Sequence, residues 1–458
     1  MNKYFILALA IALSSCSDSF FEKEMPSNQV VSGKFYKDQS DFNLAVTACY
    51  EKLKSEVSFL LTEIEYRGDS NDLDAVAVST QSRYDLDHFQ DISTNTILVS
   101  VWKNDYNGIF RCNEMLNHID GVDFAKHDQY KAEAMTLRAW YHFNLYRTFG
   151  VVPIVRKAIS PSEAMGVPRC TEDEMYEFLS SELKAAVEML PDSYTGEEIG
   201  RITNCAANAL LGRVALTFGK YEDAEKALAD AMKNTHFGLL GSTAEVFDVN
   251  NKQNREILLA VRYNKAVNLG HGAWYTTTNP STAKNPTVQL TSAYESDDNR
   301  ARLLEWTKMT VGNNYQLNKW YDTYDATYTT VTGNDFPLLR YADVVLMYAE
   351  ALNELGRGAE ALPYVNKTRV RAGIKALTTA DASTKEQVRH EILDERQREF
   401  AYEGMRWFDL VRMGYAVDYF TSLGYTIDKH NLVMPIPNDQ IEVVNDKNVM
   451  WQNPGYEK

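Results

Sequence analysis

The stretch 336–373, FPLLRYADVVLMYAEALNELGRGAEALPYVNKTRVRAG, constrains the fold more than any other part of the chain. Positions 338–352 are apolar nearly all round: Leu338, Leu339, Tyr341, Val344, Val345, Leu346, Met347, Tyr348, Ala349 and Leu352. A helix that is hydrophobic on every face has to lie inside a sizeable core. Gly356 and Gly358 break the pattern, a second helix follows from Ala359, and Gly373 is placed to cap its end. Two antiparallel helices with a short glycine turn form a helical hairpin. The spacing of Gly356, Ala361 and Val365 is that of a tetratricopeptide-like unit. Arg340, Asp343 and Glu350 interrupt the apolar run, and Arg369 and Arg371 close the second helix. Buried ions must be paired. These charges therefore read as a structural network locking helices together, in preference to a catalytic carboxylate with an arginine clamp.

A second hairpin spans 203–234, where Leu211, Gly212, Gly219, Tyr221, Ala224, Leu228 and Ala231 follow the same pattern. Helical periodicity also marks 41–54, 101–119, 130–149 and 172–190. At least three such repeats are needed to bury a continuous face, so the helices at 41–54, 101–119 and 130–149 are expected to complete a stack. Within 101–119, Trp102, Tyr106, Ile109 and Asn113 share one face, which reads as core packing. His142 sits among Trp140, Tyr141, Phe143 and Tyr146 and reads as a hydrogen-bonded core histidine. In 387–413, Glu395, Glu399 and Glu403 recur at four-residue steps with Arg398, Arg406 and Arg412 in reach. Two such carboxylates could serve a glycosidase, but glutamates one turn apart among arginines are better explained as an ion-pair ladder. Gly404 interrupts the helix there.

From 237 to 337 the periodicity fades. Asn, Thr, Gly and Tyr dominate, and 257–263 reads as one short strand. Aromatic clusters lie at His271–Gly272–Ala273–Trp274–Tyr275 and at Trp320–Tyr321–Asp322–Thr323–Tyr324. Loops this long are uncommon unless functional. Aromatic faces beside Asp, Asn and Thr suit a sugar, and they equally suit a protein interface or a satellite core under the loops. Gly68–Asp69–Ser70–Asn71–Asp72–Leu73–Asp74 reads as an acidic turn; an EF-hand would need Glu at the twelfth position, where Thr80 stands.

The net charge of −16 argues against a nucleic-acid partner and against charge-driven adhesion to anionic lipid. At the N-terminus, Lys3 precedes ten apolar residues, 4–13, and then Leu13–Ser14–Ser15–Cys16. Ten residues are too few to span a bilayer as a helix, which takes about 20. The segment reads as a signal peptide. The small residues before Cys16 resemble a bacterial lipobox, with cleavage before Cys16, lipid on its thiol and a polar tether behind it. Cys49, Cys112, Cys170 and Cys205 are far apart without metal-ligand spacing, and read as packed thiols.

These segments together resemble the SusD/RagB family of outer-membrane nutrient-binding lipoproteins of Bacteroidetes. The resemblance rests on Leu13–Ser14–Ser15–Cys16, WKNDYNGIFRCN at 102–113, AEAMTLRAWYHFNLYRTFGVVP at 132–153, FPLLRYADVVLMYAEA at 336–351, VRAG at 370–373, ERQREFAYEGMRWFDLVR at 395–412, MPIP at 434–437 and QNPGY at 452–456. It implies a mainly α fold: a helical scaffold with tetratricopeptide-like hairpins, long irregular loops and a few short strands. The expected organisation is a signal peptide at 1–15, a lipidated tether at 16–30, and two halves of one intertwined unit at 31–236 and 237–458. The resemblance implies a non-enzymatic surface lipoprotein on the outer membrane that captures a glycan and delivers it to a SusC-like TonB-dependent transporter. The alternatives are a peptide ligand, as in RagB-like members, or a structural lid of the transporter without ligand affinity. No cofactor or metal is expected. The ligand-binding candidates are Trp274, Tyr275, Trp320 and Tyr321, with Asp69 and Asp72 as polar partners, and Cys16 is the lipid-attachment site.

Overall fold

Each long helix of the chain packs against the next one. The computed structural model describes residues 35–70, 81–264, 276–277, 286–309, 315–322 and 332–456. Helix α1 (Gln39–Glu51) starts at Asp38, whose carboxylate accepts the Ser40 and Asp41 amides. It rests on α2 (Thr96–Ile119) and α3 (His127–Phe149), which pack on each other. Helix α4 (Glu172–Met189) opens with a Thr171/Glu174 capping box and packs on α3. Then come α5 (Asn204–Thr217) and α6 (Tyr221–Lys233), the predicted hairpin. Gly219 takes φ +65° at its turn, a left-handed conformation that suits glycine. Gly212 lets the two helices close up, since a Cβ there would lie 2.5 Å from Leu228 Cγ.

A stretch of strands follows: β1 (Ile257–Val261), β2 (Thr276–Thr277), β3 (Trp306–Lys308), β4 (Tyr315–Leu317) and β5 (Phe336–Arg340). The array then resumes with α7 (Tyr341–Glu354), which packs on α6, and α8 (Gly358–Arg371). Gly373, at φ +87°, ends α8 as expected: Ile374 N–H donates to Arg369 O and Gly373 N–H to Val370 O. Helix α9 (Lys385–Phe400), opened by a Thr384/Gln387 capping box, lies on α7 and α8. Short helices α10 (Arg406–Arg412) and α11 (Ala416–Ser422) follow the break at Gly404.

The apolar run at 338–352 is not a single helix. Residues Phe336–Arg340 form β5, fully buried and paired antiparallel with β1, with Val261 opposite Phe336 and Ile257 opposite Arg340. A five-residue strand buried on both faces reads as a continuous apolar run, which periodicity cannot separate from the start of a buried helix. Arg340 is thus the N-cap of α7 and not an interior residue. Strand β1 (Ile257–Val261) falls within the expected 257–263; β2, β3 and β4, which form a second small sheet in the order β2–β4–β3, are among the few short strands expected but not placed from the sequence.

One hydrophobic core runs from Cys49 to Met450. Cys49, Cys112 and Cys205 are buried free thiols, and Cys170 is a half-buried one. Trp102, Ile109 and Asn113 are buried, as the shared face implied. His142 is fully buried: Nδ1–H donates to Arg138 O (2.9 Å) and Nε2 accepts the Val155 amide (3.2 Å). Burial lowers its pKa to about 3, so the ring is neutral. Among the described residues no helix is long and apolar enough to cross a membrane.

Candidate functional site

The charges that interrupt the apolar sequence meet in one buried network. Arg340 donates to Glu403 Oε2 (2.7 Å), Glu256 Oε1 (3.0 Å) and Glu399 Oε1 (2.7 Å). Arg300 is held by Asp298 (2.7 Å) and reaches Glu395 (2.7 Å) and Glu399 (2.9 Å). Arg371 joins Glu256 (2.7 Å) to Glu399, and Lys319 Nζ donates to Glu403 (2.7 Å) and to Ala401 O. The ion-pair reading of Glu395, Glu399 and Glu403 therefore holds, but not as a local ladder: of the arginines in reach only Arg398 pairs with them, on Glu395 (3.1 Å), whereas Arg406 faces Asp69 and Arg412 binds Glu350 and Asp409. Burial opposes ionisation of Glu399, but Arg371, Arg340 and Arg300 outweigh it and hold its carboxyl well below the usual range. A glycosidase needs one protonated and one ionised carboxyl facing the substrate. Glu395 and Glu399 are instead sealed from solvent and bound to arginine.

This network anchors the loop region to the helices. Asp298, Arg300, Lys319, Glu256 and Arg340 belong to the strand-rich stretch, whereas Glu395, Glu399 and Glu403 belong to α9 and the turn after it. The described residues flanking 71–80, 265–275, 278–285, 310–314 and 323–331 are tied into the same foundation. Ser70 O accepts the Thr287 amide (3.1 Å) and the Tyr402 hydroxyl (3.4 Å), one residue from Glu403. Lys252 Nζ donates to Tyr263 O (2.7 Å) and to Gly333 O, and Asp322 accepts the Gly333 amide (2.9 Å). Asn334 donates to Phe247 O, and the Phe247 ring lies 4.4 Å from Lys319 Nζ.

The structure separates the sequence candidates. Trp320 is wholly enclosed, its ring 5.2 Å from Phe247 and 5.5 Å from Phe336. That is a correction: the indole fills the core between Phe247 and Phe336 and offers no face to a ligand. Asp69 is also buried, which is a second correction. Its carboxylate accepts the Tyr419 hydroxyl and lies 4.0 Å from Arg406 Nε, while its carbonyl accepts the Thr287 hydroxyl. Burial pushes its carboxyl up, against the pull of Arg406 and Tyr419. Its backbone is left-handed, φ +68°, so Asp69 is a positioned tie between loops. Tyr321 is half-buried beside Asp322. Asp72, Trp274, Tyr275 and Cys16 lie outside the described residues.

Comparison with known proteins bears on the same regions. Residues 261–456 match the model of the SusD family, and 16–216 match a SusD-like model described as starch-binding associating with outer membrane. The chain belongs to the SusD/RagB family. A SusD-like protein of Formosa agariphila is 25% identical across all of both chains. A SusD-like protein from Bacteroides fragilis has the same fold, with a TM-score of 0.77 and 23% identity over 94% of this chain and 100% of that one. A laminarin-binding SusD-like protein superposes with a TM-score of 0.74 at 23% identity, over 92% and 100%.

Several motifs that carry the SusD resemblance act as scaffold in the described residues. Asn453 of QNPGY donates to Phe149 O (2.8 Å) and Met434 O (2.7 Å), joining the C-terminal tail to the end of α3. Arg169 binds Asn453 Oδ1 and Trp451 O. Trp407 stacks under Arg67, which clamps Asp91 (3.0 Å) and Asn431 O (2.8 Å). Sequence reasoning missed Trp306 and Tyr315. They are half-buried on β3 and β4, and β4 pairs with Thr276–Thr277, the residues that directly follow Trp274 and Tyr275. An alternation of aromatic and polar residues over three-residue strands is too short a signal to read.

Proposed function

We propose that this SusD/RagB chain is a lipid-anchored protein of the cell surface, attached through Cys16, that binds an oligosaccharide or polysaccharide and passes it to a SusC-like TonB-dependent transporter. It performs no chemistry on the sugar. The observation that carries this reading is the ionic foundation under the loop region. A preorganised platform is what a weak, multi-contact ligand requires, because ordering loops on binding costs affinity. Trp274, Tyr275 and Tyr321 supply apolar faces for sugar rings, and Asp72 accepts hydroxyls. Trp306 and Tyr315 extend that set, since their sheet also holds the residues next to Tyr275. The SusD-like model described as starch-binding and the laminarin-binding structure support a glycan over a peptide.

The absence of chemistry is supported by the burial of Glu395 and Glu399. A protein partner is supported by an apolar groove of ≈ 380 Å³ between α2 and the tail, rimmed by exposed Phe110, Met165 and Val443. The test is calorimetric titration of the mature, unlipidated protein with laminarin and starch oligosaccharides. Saturable binding that falls at least tenfold in Trp274→Ala and Tyr275→Ala, with an unchanged melting temperature, is expected. Full affinity in both variants would refute the assignment of those rings.

A further inference from the structure

Away from the loop region, helices α3, α5, α9 and α10 surround a cavity of ≈ 270 Å³. Four arginines line it, one from each helix: Arg147, Arg213, Arg396 and Arg412. Their carboxylate partners are three. Asp343 bridges Arg213 (2.6 Å) and Arg396 (2.7 Å), Asp409 bridges Arg396 (2.8 Å) and Arg412 (2.9 Å), and Glu350 takes the other end of Arg412. Arg147 stands apart. Its Nε and Nη2 donate only to the Asn144 amide oxygen (3.0 and 2.8 Å), and it makes no ion pair among the described residues. Its guanidinium lies 4.1 Å from the Phe408 ring centre, which fixes its plane at the cavity wall. Arg213 Nε is buried without a hydrogen-bond partner, a cost that a native fold rarely leaves uncompensated.

The acidic groups around Arg147 do not close the site. Glu56, Asp105 and Asp409 act on it without a hydrogen bond, Glu56 being bonded to the Trp140 indole (2.6 Å), Asp105 to Asn144 Nδ2 (2.8 Å) and Asp409 to Arg396 and Arg412. Burial raises the carboxyl of Glu56 to about 7, and burial and then Glu56 hold that of Asp105 well above its usual range. Glu172 sits at the rim and accepts the Tyr146 hydroxyl (3.4 Å). Burial, and then Arg213, lower Arg147 to about 10, so it stays cationic at neutral pH.

We propose that this cavity is an oxyanion site, in which Arg147 and the unpartnered Arg213 Nε bind a carboxylate, sulfate or phosphate group on a ligand no larger than a monosaccharide. Arginine forks suit such groups because two parallel N–H donors match two oxygens. Asp343 and Asp409 hold Arg213 and Arg396 in place, so the donors are preorganised. The site is separate from the loop region and does not depend on the glycan assignment there.

The test uses the mature, unlipidated protein titrated with inorganic phosphate, sulfate and glucuronate, with glucose and ionic-strength-matched chloride as controls. Calorimetry and melting temperature are read together, because a ligand that binds only the native state raises the midpoint as its concentration passes Kd. Saturable binding of at least one oxyanion, without effect of glucose or chloride, is expected. Response to the inorganic ions alone would identify a free-ion site; a stronger response to glucuronate would identify an acidic sugar. Arg147→Met should weaken binding at least tenfold while its melting temperature in chloride stays near wild type, since no ion pair is broken. Val433→Phe, which narrows the cavity at a half-buried rim position, gives the same readout should Arg147→Met fail to fold. Absence of saturable binding by all three anions, or unchanged affinity in Arg147→Met or Val433→Phe, would overturn the proposal.

Discussion

Replacing Arg340 by methionine tests how much the buried ion network holds the loop region to the helices. Arg340 makes five hydrogen bonds: two to Glu403, one to Glu256, one to the Glu399 carboxylate and one to Glu399 O. After its removal Glu256 keeps Arg371, Glu399 keeps Arg300 and Arg371, and Glu403 keeps Lys319. The buried Arg340–Glu403 ion pair is lost, and Glu403 is left with Lys319 alone. Breaking such a pair costs about 3–5 kcal/mol. With an unfolding entropy near 2.1 cal/mol/K per residue, a chain of this length has roughly 1 kcal/mol/K, so the melting temperature should fall by about 3–5 °C. Differential scanning calorimetry gives that number. Hydrogen exchange should quicken first in segments 298–308 and 315–322, before the α5–α6 hairpin. Adding Glu403→Gln should return part of the loss, because Glu403 loses both of its Arg340 hydrogen bonds and keeps only Lys319. A midpoint within about 1 °C of wild type, with unchanged exchange, would refute the reasoning.

Four further outcomes follow from particular contacts. Trp320→Ala should cost about 3–5 kcal/mol in chemical unfolding, as a large buried ring lost from the core, so that any loss of glycan binding tracks stability. Gly108→Ala should lower stability by about 1–3 kcal/mol, since its Cβ would lie 2.7 Å from the Tyr141 ring, whose hydroxyl is fixed on Cys49 O. Glu56 is raised by burial to about 7, above its value in the unfolded chain. The native state therefore binds the extra proton between about 4.5 and 7, and the Glu56 contribution to stability falls as pH rises through that window. Denaturant unfolding across pH should show Glu56→Gln flattening this slope and stabilising the protein above pH 7. His142 runs the other way: lowered to about 3 by burial, it contributes stability that is lost as pH falls below about 6.5, and His142→Gln should remove that dependence.

The helical array was legible because its signals are long and local. Gly219 and Gly373 stand where left-handed backbone is required, and Gly212 where Leu228 closes in. Pairing of Arg340, Asp343 and Glu350 followed from the cost of burying charge, although their partners, Glu256 and Arg213 among them, were too distant in sequence to name. The loop region was less legible. Trp320 and Asp69 share the residue types of a sugar site, and only burial distinguishes a tryptophan under loops from one above them. Arg340 moved from helix interior to strand end because five apolar residues fit either period.

The central claim is that the loop region binds a glycan. Affinity electrophoresis of the mature, unlipidated protein through a panel of polysaccharides tests it most directly, with Trp274→Ala run beside the wild type. Retardation by one glycan class, reduced in Trp274→Ala, is the predicted result. Migration unaffected by every polysaccharide in the panel would contradict the claim.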